Sequence, residues 1–491
     1  MHLKTLFSVI VILIISVGLR IYGLGDRALW ADEKVSALCS NGLIGTPIKY
    51  INTAYLKGET KTKSFSEIKK ATLIQDSGNG LFYYLFLSQW SDWFGNSDYS
   101  LRFPSFIAGI LFLLVGYLFV KKRFGDNTAL LFLISSSVFS LFIIYSQTGR
   151  SYELALFTTF LSTYVFWILL DSFGNELNKG KIAVYSITYL CLLCISMFLH
   201  YYTFYIFAGH ALYLTLHYFK NRKLIFVFFA IYGVFTLLFL YWMMNGGLEG
   251  YTFMADRNYL WVLKAKESGT YFNLLFFTKA FITFLVSMTG VYMDYIRGFK
   301  VYLLLPYIIV SAIIVFLFFK TKHKTNKVIT LFLYTILIQI GFAILMILKN
   351  GHVLSLSPYY NIFTIPYVII ILAFISNEIL IKRKYAKAIV LFYSVFVVYN
   401  LIFIYFYHSK KNIHHSEVNN PYVEAAMILE KNINQGDTVV SRQWIDGPLI
   451  SLYTKKSFIF SNNPNLEKDE IYLNKKGNDK LTILNLEGKR Y

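Results

Sequence analysis

The sequence predicts an all-α polytopic membrane protein of about eleven transmembrane helices, with helices in its outer-face loops and a small C-terminal α/β domain. Three observations predict it. Of 491 residues, 56% are hydrophobic and only 15% charged, where water-soluble domains carry roughly 25% charged residues. Apolar runs of spanning length recur from end to end. Basic residues gather between those runs on alternate loops, as the positive-inside rule requires.

The runs lie at approximately 5–24, 102–120, 128–146, 152–171, 183–200, 203–219, 224–244, 301–319, 328–348, 362–380 and 388–407. Most approach the twenty or so residues that a helix needs to cross hydrocarbon. The first, Leu6 to Leu19, lacks a small-x-small cleavage site and is expected to stay as a span. Lys121-Lys122-Arg123, Lys179 and Lys181, Lys220 to Lys223, Lys320 to Lys327, and Lys382 to Lys387 all fall on one side, together with Lys4. That side is the cytoplasm, so the N-terminus is expected inside and the C-terminal domain outside a cell (inner) membrane. Residues 271–290 are also apolar, but a full span there would invert every later loop. Lys279 sits in their middle, and an interfacial or re-entrant helix on the outer side is expected.

The net charge of +20 does not indicate a nucleic-acid partner, because the lysines are dispersed over short loops and do not form one soluble face. Three cysteines cannot make a disulfide framework. Cys191 and Cys194 form a C-x-x-C inside an apolar run, where they read as small core residues.

The expected division is a transmembrane unit, 1–407, and an extracytoplasmic α/β domain, 408–491. The unit carries a first outer loop at 25–100 and a second at 245–300. In the first loop, stretches around Thr46–Tyr55 and Ser66–Leu73 read as short surface helices. In the tail the pattern is a helix (Pro421–Lys431), a Gly436-Asp437 turn and a strand (Thr438–Ser441). A helix (Gly447–Tyr453), a strand (Ser457–Phe460) and a late strand near Leu481–Leu486 follow.

The outer membrane level collects residues able to do chemistry. Asp32 and Glu33 follow the first span, although carboxylates beside hydrocarbon are costly and tend to mark chemistry or transport. Asp76, Asn79 and the Tyr83-Tyr84 pair close the first loop. Arg102 opens the second span. Gln147, Arg150 and Tyr152 occupy a tight outer turn, His200 and Tyr201 another, and His352 and Ser357-Pro358-Tyr359-Tyr360 a third. Each has an ordinary reading beside the functional one. An acid can cap a helix, Asp76 can close an Asx-turn, and arginines can snorkel to the interface.

In this order the motifs resemble those of the GT-C glycosyltransferases, in particular the protein O-mannosyltransferase and lipid A aminoarabinose transferase group. Trp30-Ala31-Asp32-Glu33 resembles the group's W-x-D-E. Asp76-Ser77-Gly78-Asn79-Gly80-Leu81-Phe82-Tyr83-Tyr84-Leu85 stands where D-x-H-P-P-L-Y-Y-L is expected. Arg102-Phe103-Pro104-Ser105 is similar to R-x-P-S, and Ser146-Gln147-Thr148-Gly149-Arg150-Ser151-Tyr152 to S-Q-x-x-R-x-Y. The likeness covers roughly residues 1–215. Two departures stand out: Gly78-Asn79-Gly80 replaces His-Pro-Pro, and Ser357-Pro358-Tyr359-Tyr360 replaces an arginine-tyrosine pair.

The resemblance implies a GT-C-like fold and an integral-membrane glycosyltransferase. Such an enzyme moves a sugar from a polyprenyl-phosphate carrier to an acceptor hydroxyl, on a protein or a glycolipid, at the extracytoplasmic face. The chemistry suits the residues. A phosphate leaves without a proton, so one carboxylate suffices as general base, and a single displacement inverts the anomeric carbon. Asp32 is expected as that base, with Glu33 beside it in the catalytic pair as a residue that supports Asp32, binds a metal or faces water. Arg150 and Arg102 are expected at the carrier phosphate, and Asp76, Asn79, Tyr83, Gln147, Tyr152, His200 and Tyr201 around the substrates. No cofactor is required by this chemistry. A divalent cation held by Asp76, His200 and His352 is the one metal candidate.

Three rivals remain at this level. A lipid-linked glycan flippase or transporter would place polar residues near mid-span, whereas here they gather at one face. A surface-polysaccharide polymerase or ligase would carry arginines and histidine in a late outer loop; segment 245–300 offers Arg257 but no histidine. An assembly subunit with a decayed site is the third, kept open by the two motif departures.

Overall fold

The computed structural model of the chain describes residues 3–45, 53–58, 63–174, 179–288, 326–381, 386–409, 420–466, 470–475 and 480–485. The first half is α1 (Leu3–Ile21), α2 (Ala31–Ser40), β1 (Thr53–Leu56), α3 (Phe65–Asp76), α4 (Leu81–Phe94), α5 (Asp98–Phe124), α6 (Asp126–Val138), α7 (Ser140–Ser146), α8 (Tyr152–Gly174), α9 (Lys179–Leu199) and α10 (Phe204–Tyr218). Then come α11 (Arg222–Trp242), α12 (Leu248–Glu267), α13 (Leu274–Met288), α14 (Lys327–Asn350), α15 (Pro358–Asn361), α16 (Ile365–Ile381) and α17 (Ala386–Ser409). The tail holds α18 (Pro421–Asn432), β2 (Thr438–Ser441), α19 (Asp446–Ser451), β3 (Phe458–Asn462), β4 (Glu470–Asn474) and β5 (Lys480–Asn485).

Among the described residues seven helices are long and apolar enough to cross a membrane, eight if α6 and α7 are one bent span. This is a multi-pass membrane protein, mostly helical. Ten of the eleven expected runs coincide with helices; the eleventh, 301–319, lies outside the described residues. Some of the ten are short: α1 has 19 residues and α10 only 15.

Two of these helices are irregular, and in each the freed backbone groups find new partners. Pro104 lies inside α5, so it cannot donate to the carbonyl of Ser100. The Trp90 indole donates to that carbonyl instead, at 3.0 Å. Between α6 and α7 the chain bends by 60° at Phe139. There the Arg20 guanidinium donates to the carbonyls of Ser136 and Ser137 at 3.0 and 2.9 Å. The N–H of Ser140 donates to Asn400 Oδ1 at 2.9 Å. A break at membrane depth survives only when buried protein groups satisfy it in this way.

The segment 245–300, expected as the second outer loop, begins as a helix. α11 continues through a π-helical turn, Met243–Gly247, into α12, with the helical path broken at Asn245 and Gly246. α13 occupies the region expected to be an interfacial or re-entrant helix.

The segment 25–100, expected as the first outer loop, differs from expectation at β1. The stretch around Thr46–Tyr55 was read as helical, but Thr53–Leu56 is a strand; residues 46–52 lie outside the described set. Strand pairing with a distant partner overrides the local reading here. β1 runs antiparallel to β3, Thr53 opposite Ser461 and Leu56 opposite Phe458. The sheet order is β1-β3-β2-β4-β5, with β2 and β3 parallel and the other pairs antiparallel. The expected helix at Ser66–Leu73 is present as α3. In the tail β4 was not anticipated, and the other five elements fall where the pattern put them, within a few residues. α18 buries Tyr422, Ala425, Ala426 and Leu429, spaced i, i+3, i+4 and i+7 as a helix packed on one face must be.

The tail is pinned to the membrane unit beside the start of α5. The side chains of Asn420 and Tyr453 both donate to the Asp98 carboxylate at 3.1 Å. Lys34 lies 5.2 Å over the Tyr422 ring.

Candidate active site

The start of α2 sets two adjacent acids to opposite uses. Glu33 is the third residue of the helix, and its carboxylate reaches back to accept from the N–H of Trp30 at 3.2 Å. That is half of a capping box. Arg102 from α5 donates to both of its oxygens, at 2.8 and 2.7 Å, and the N–H of Gly149 adds a bond of 2.7 Å. Burial alone would raise the pKa of Glu33, but Arg102 and the two backbone donors hold it below the usual carboxylate value.

Arg102 has five N–H donors, and all five are occupied. Two go to Glu33, and three go to the carbonyls of Leu24, Arg27 and Ala28 at 3.0, 2.8 and 3.1 Å. The expectation that Arg102 holds a carrier phosphate is corrected by this count: no donor is left. With Glu33 it forms a buried lock that shapes the loop ahead of α2. Glu33 is correspondingly a structural acid in this arrangement.

Asp32 precedes it by one residue, which turns its side chain about 100° around the helix. It is half-buried, and among the described residues its carboxylate receives no hydrogen bond. Its pKa is raised, chiefly by burial and further by the charges of Asp76 and Glu33, against the opposing pull of Arg150 and Arg257.

Beside it stands a triangle of Asp76, Tyr84 and Arg150. Arg150 donates to Asp76 at 3.1 Å and to the Tyr84 hydroxyl at 2.6 Å. The Tyr84 hydroxyl in turn donates to Asp76. Arg150 also reaches the backbone carbonyl of Asp32 at 3.4 Å. Its Nε–H is buried and has no hydrogen-bond partner among the described residues, and its guanidinium lies 5.6 Å over the Tyr152 ring. The turn Ser77 to Gly80 joins α3 to α4 through left-handed backbone at Ser77, Gly78 and Gly80. A side chain at Gly78 or Gly80 would be strained there, and the turn fixes the rotation of α4 that aims Tyr84 at Arg150.

The other expected site residues divide. Tyr152 is the ring beneath Arg150. Tyr83 and Tyr84 are both wholly buried, and it is Tyr84, one residue and about 100° further round α4, whose hydroxyl meets Asp76 and Arg150. Gln147 spends its amide on the carbonyls of Leu19, Arg20 and Tyr22, the closest at 2.7 Å, and so caps the end of α1. Asn79 accepts from the N–H of Tyr201, whose hydroxyl donates to the carbonyl of Gly78 at 2.8 Å. Both pin the turn.

His200 is buried, and its Nδ1 accepts from the N–H of Tyr202 at 3.2 Å. Burial, with the charge of Arg150 adding to it, pushes its pKa down to about 3, so it is a neutral ring. His352 accepts from the N–H of Leu354 and meets Asn258 at 2.9 Å.

Among the described residues no group of three His, Cys, Asp or Glu side chains is placed to hold a metal ion. Asp76, His200 and His352 engage separate partners, and the metal candidate is not assembled. Cys191 and Cys194 are free thiols on α9.

Arg257, on α12, was assigned no role from sequence in this site. It donates to the carbonyl of Ile74 at 2.8 Å, two residues before Asp76, and its charge acts on Asp32. Gly250 lies flat on the turn below it: a Cβ there would sit 2.7 Å from the Ser77 carbonyl oxygen. Arg102 is matched by Glu33 and Arg150 by Asp76. Arg257 makes no ion pair among the described residues.

The architecture is the GT-C fold. The chain is similar to the oligosaccharyltransferase of Archaeoglobus fulgidus in its apo form, with a TM-score of 0.53 at 14% identity over 94% of this chain and 65% of that one. The same enzyme in complex with Zn and sulfate gives 0.51 at 14% identity, over 94% and 63%. ArnT from Cupriavidus metallidurans in the apo state gives 0.43 at 11% identity, over 92% and 84%. The chain thus spans slightly under two thirds of the length of the oligosaccharyltransferase chains it matches. No family model and no curated protein sequence matches it.

Proposed function

We propose that the chain is an integral-membrane glycosyltransferase of the GT-C type. It takes a sugar from a polyprenyl-phosphate carrier and places it on an acceptor hydroxyl at the extracytoplasmic face, with Asp32 as general base. The observation that carries the reading is the contrast between the two adjacent acids. Glu33 is consumed by four hydrogen bonds. Among the described residues the Asp32 carboxylate has none and the Arg150 Nε–H beside it has no acceptor, and the Asp32 pKa is raised. A carboxylate kept basic and unengaged suits proton abstraction, and holding it so has no evident benefit for stability.

In the reaction the acceptor oxygen attacks the anomeric carbon as the carbon–phosphate oxygen bond breaks. The bonding pair leaves with the phosphate, and the hydroxyl proton passes to Asp32. One displacement inverts the configuration. Because the leaving phosphate needs no proton, a second acid is not required, which is consistent with Glu33 being locked. The phosphate gains negative charge as it departs, next to Asp32 and Asp76. Arg150 alone leaves that region net negative, so Arg257 supplies the second cation. Donors aimed at developing charge favour the transition state over the ground state. No step is routed through a metal, because Asp76 is already engaged by Arg150 and Tyr84.

The pairing of β1 with β3 supports the expected topology. It ties the first outer loop to the tail, so both lie on one side of the membrane, in line with a cytoplasmic N-terminus and an extracytoplasmic 408–491 domain completed by β1. The acceptor is a protein or a glycolipid. The oligosaccharyltransferase of the same fold has been solved tethered to an acceptor peptide, which supports the first of these.

The test is reconstitution of the purified protein in liposomes with lipid-linked sugars extracted from its source membranes. Release of free polyprenyl phosphate together with a glycosylated acceptor is expected. Movement of intact lipid-linked glycan across the bilayer, with no bond broken, would replace this reading with the transporter.

A further inference from the structure

A second pair of buried charges adjoins the turn that carries Arg150 and Tyr152, and it takes no part in the proposed chemistry. Arg20, near the end of α1, and Glu153, in the first turn of α8, are both wholly buried and within electrostatic reach of each other. The terminal nitrogens of Arg20 donate to Ser16, Ser136 and Ser137. Its Nε–H has no hydrogen-bond partner among the described residues, and neither oxygen of Glu153 has one. Both groups nevertheless face one point. A Cβ on Gly109 of α5 would sit 3.0 Å from Glu153 Oε1, 3.5 Å from Arg20 Nε and 2.9 Å from Ser146 Cβ.

We propose that Glu153 and Arg20 are positioning residues. A bound water molecule joins them into a buried bridge that fixes the start of α8, and with it Arg150 and Tyr152, against α1 and α5. A water has the reach. Two hydrogen bonds of about 3 Å each match two atoms that each lie within 3.5 Å of one point. It also has the partners, a donor in Arg20 Nε–H and an acceptor in Glu153 Oε1, as a buried water requires. Left unpaired, each group would carry its full desolvation penalty.

The bridge stands where it can hold the turn. Glu153 directly follows Tyr152. Gln147, at the start of the turn, donates to the backbone carbonyl of Arg20 at 3.1 Å. Ser105, four residues before Gly109 and on the same face of α5, donates to the carbonyl of Arg150 at 3.2 Å. The beginning of the turn is thus tied to α1 and its middle to α5, and the Arg20–Glu153 bridge ties its end. Stability alone does not account for the charges. A buried ion pair is often no more stable than well-packed apolar residues of similar volume, and ionisable groups within membrane domains are costly and tend to serve function. The positioning role rests on the glycosyltransferase reading; the bound water does not.

The first arm of the test is electron cryomicroscopy of the full-length protein in nanodiscs, at a resolution that shows ordered water. Density for a water within hydrogen-bond distance of both Glu153 Oε1 and Arg20 Nε is expected. A direct contact between the two side chains, or no density between them, overturns the bridge. The second arm measures sugar transfer per folded molecule, with the folded fraction read from thermal unfolding. Glu153→Gln keeps the shape and removes the charge, and transfer is expected to fall by at least about tenfold, as a small misplacement of Arg150 would cause. Glu153→Asp keeps the charge on a shorter arm and should fall between Glu153→Gln and wild type. A merely structural role lowers the folded fraction and leaves the rate per folded molecule unchanged, and that result in both variants overturns the positioning role. If Glu153→Gln does not fold, Glu153→Asp at the wild-type rate overturns it alone. A wild-type protein that transfers no sugar ends the positioning role together with the reading it rests on, while the density in the first arm still decides the bridge.

Discussion

Replacing Glu33 with glutamine separates architecture from chemistry in the acid pair. The carboxylate accepts four hydrogen bonds, two from Arg102 and one each from Gly149 and Trp30. Each oxygen takes one bond from Arg102 and one from a backbone N–H. Glutamine keeps the shape, but its NH2 must occupy one of these positions and there face two donors. Arg102 also loses the acid it is paired with and remains buried. Breaking one partner of a buried ion pair costs about 3–5 kcal/mol, a large fraction of the stability of an ordinary domain.

The pH dependence has a definite sign. Glu33 has a lowered pKa in the folded protein. Its contribution is therefore present above the unfolded value of about 4.3 and is lost as pH falls through the lower folded value. Thermal unfolding in nanodiscs at neutral pH, read beside sugar transfer, measures both effects. Glu33→Gln is expected to unfold at a clearly lower temperature, and to lose transfer only in proportion to the folded fraction. A Glu33→Gln protein as stable as wild type but catalytically dead would refute the reasoning and return Glu33 to the chemistry.

Three further outcomes are expected. The base must be ionised to work, and the pKa of Asp32 is raised, so the acid limb of the transfer rate lies above the ordinary Asp value of about 3.9; a limb at or below that value contradicts it. Arg150→Lys keeps the charge but cannot span Asp76 and Tyr84 while offering a further donor, so transfer falls by about a hundredfold, and near-wild-type kinetics would remove Arg150 from the phosphate. Asn400→Leu strands the buried N–H of Ser140 at the break between α6 and α7. Unfolding in nanodiscs should then show about 1–3 kcal/mol of lost stability, and no loss would mean that the break is satisfied otherwise.

Hydropathy and loop charge were enough to place most spans, because both signals are local and strong. The order of the motifs put Asp32, Asp76, Arg150 and Tyr152 on one expected outer face, and the structure brings Arg150 against Asp76 and over Tyr152. What stayed hidden depends on partners far away in sequence. Glu33 looks like a second catalytic acid until Arg102, 69 residues on, is seen to consume it. Arg102 in turn looks like a phosphate ligand until its five donors are counted. Choosing Tyr83 over Tyr84 was a matter of helix rotation, which the turn at Ser77–Gly80 sets and adjacent identical residues cannot reveal. β1 needs β3, some four hundred residues downstream, to be a strand at all. Arg257 had a legible signal, an isolated arginine in the second outer loop. It could be connected to Asp32 only once α12 was laid on the end of α3.

The central claim is that Asp32 alone is the base, and Asp32→Asn tests it most directly. With a raised folded pKa, ionised Asp32 opposes folding above its unfolded pKa. The variant should therefore be as stable as wild type or more so at neutral pH, with the difference vanishing below about pH 4. Transfer measured on that intact protein should fall by at least about a hundredfold. Transfer at the wild-type rate would contradict the account, and so would a variant that loses activity only because it unfolds.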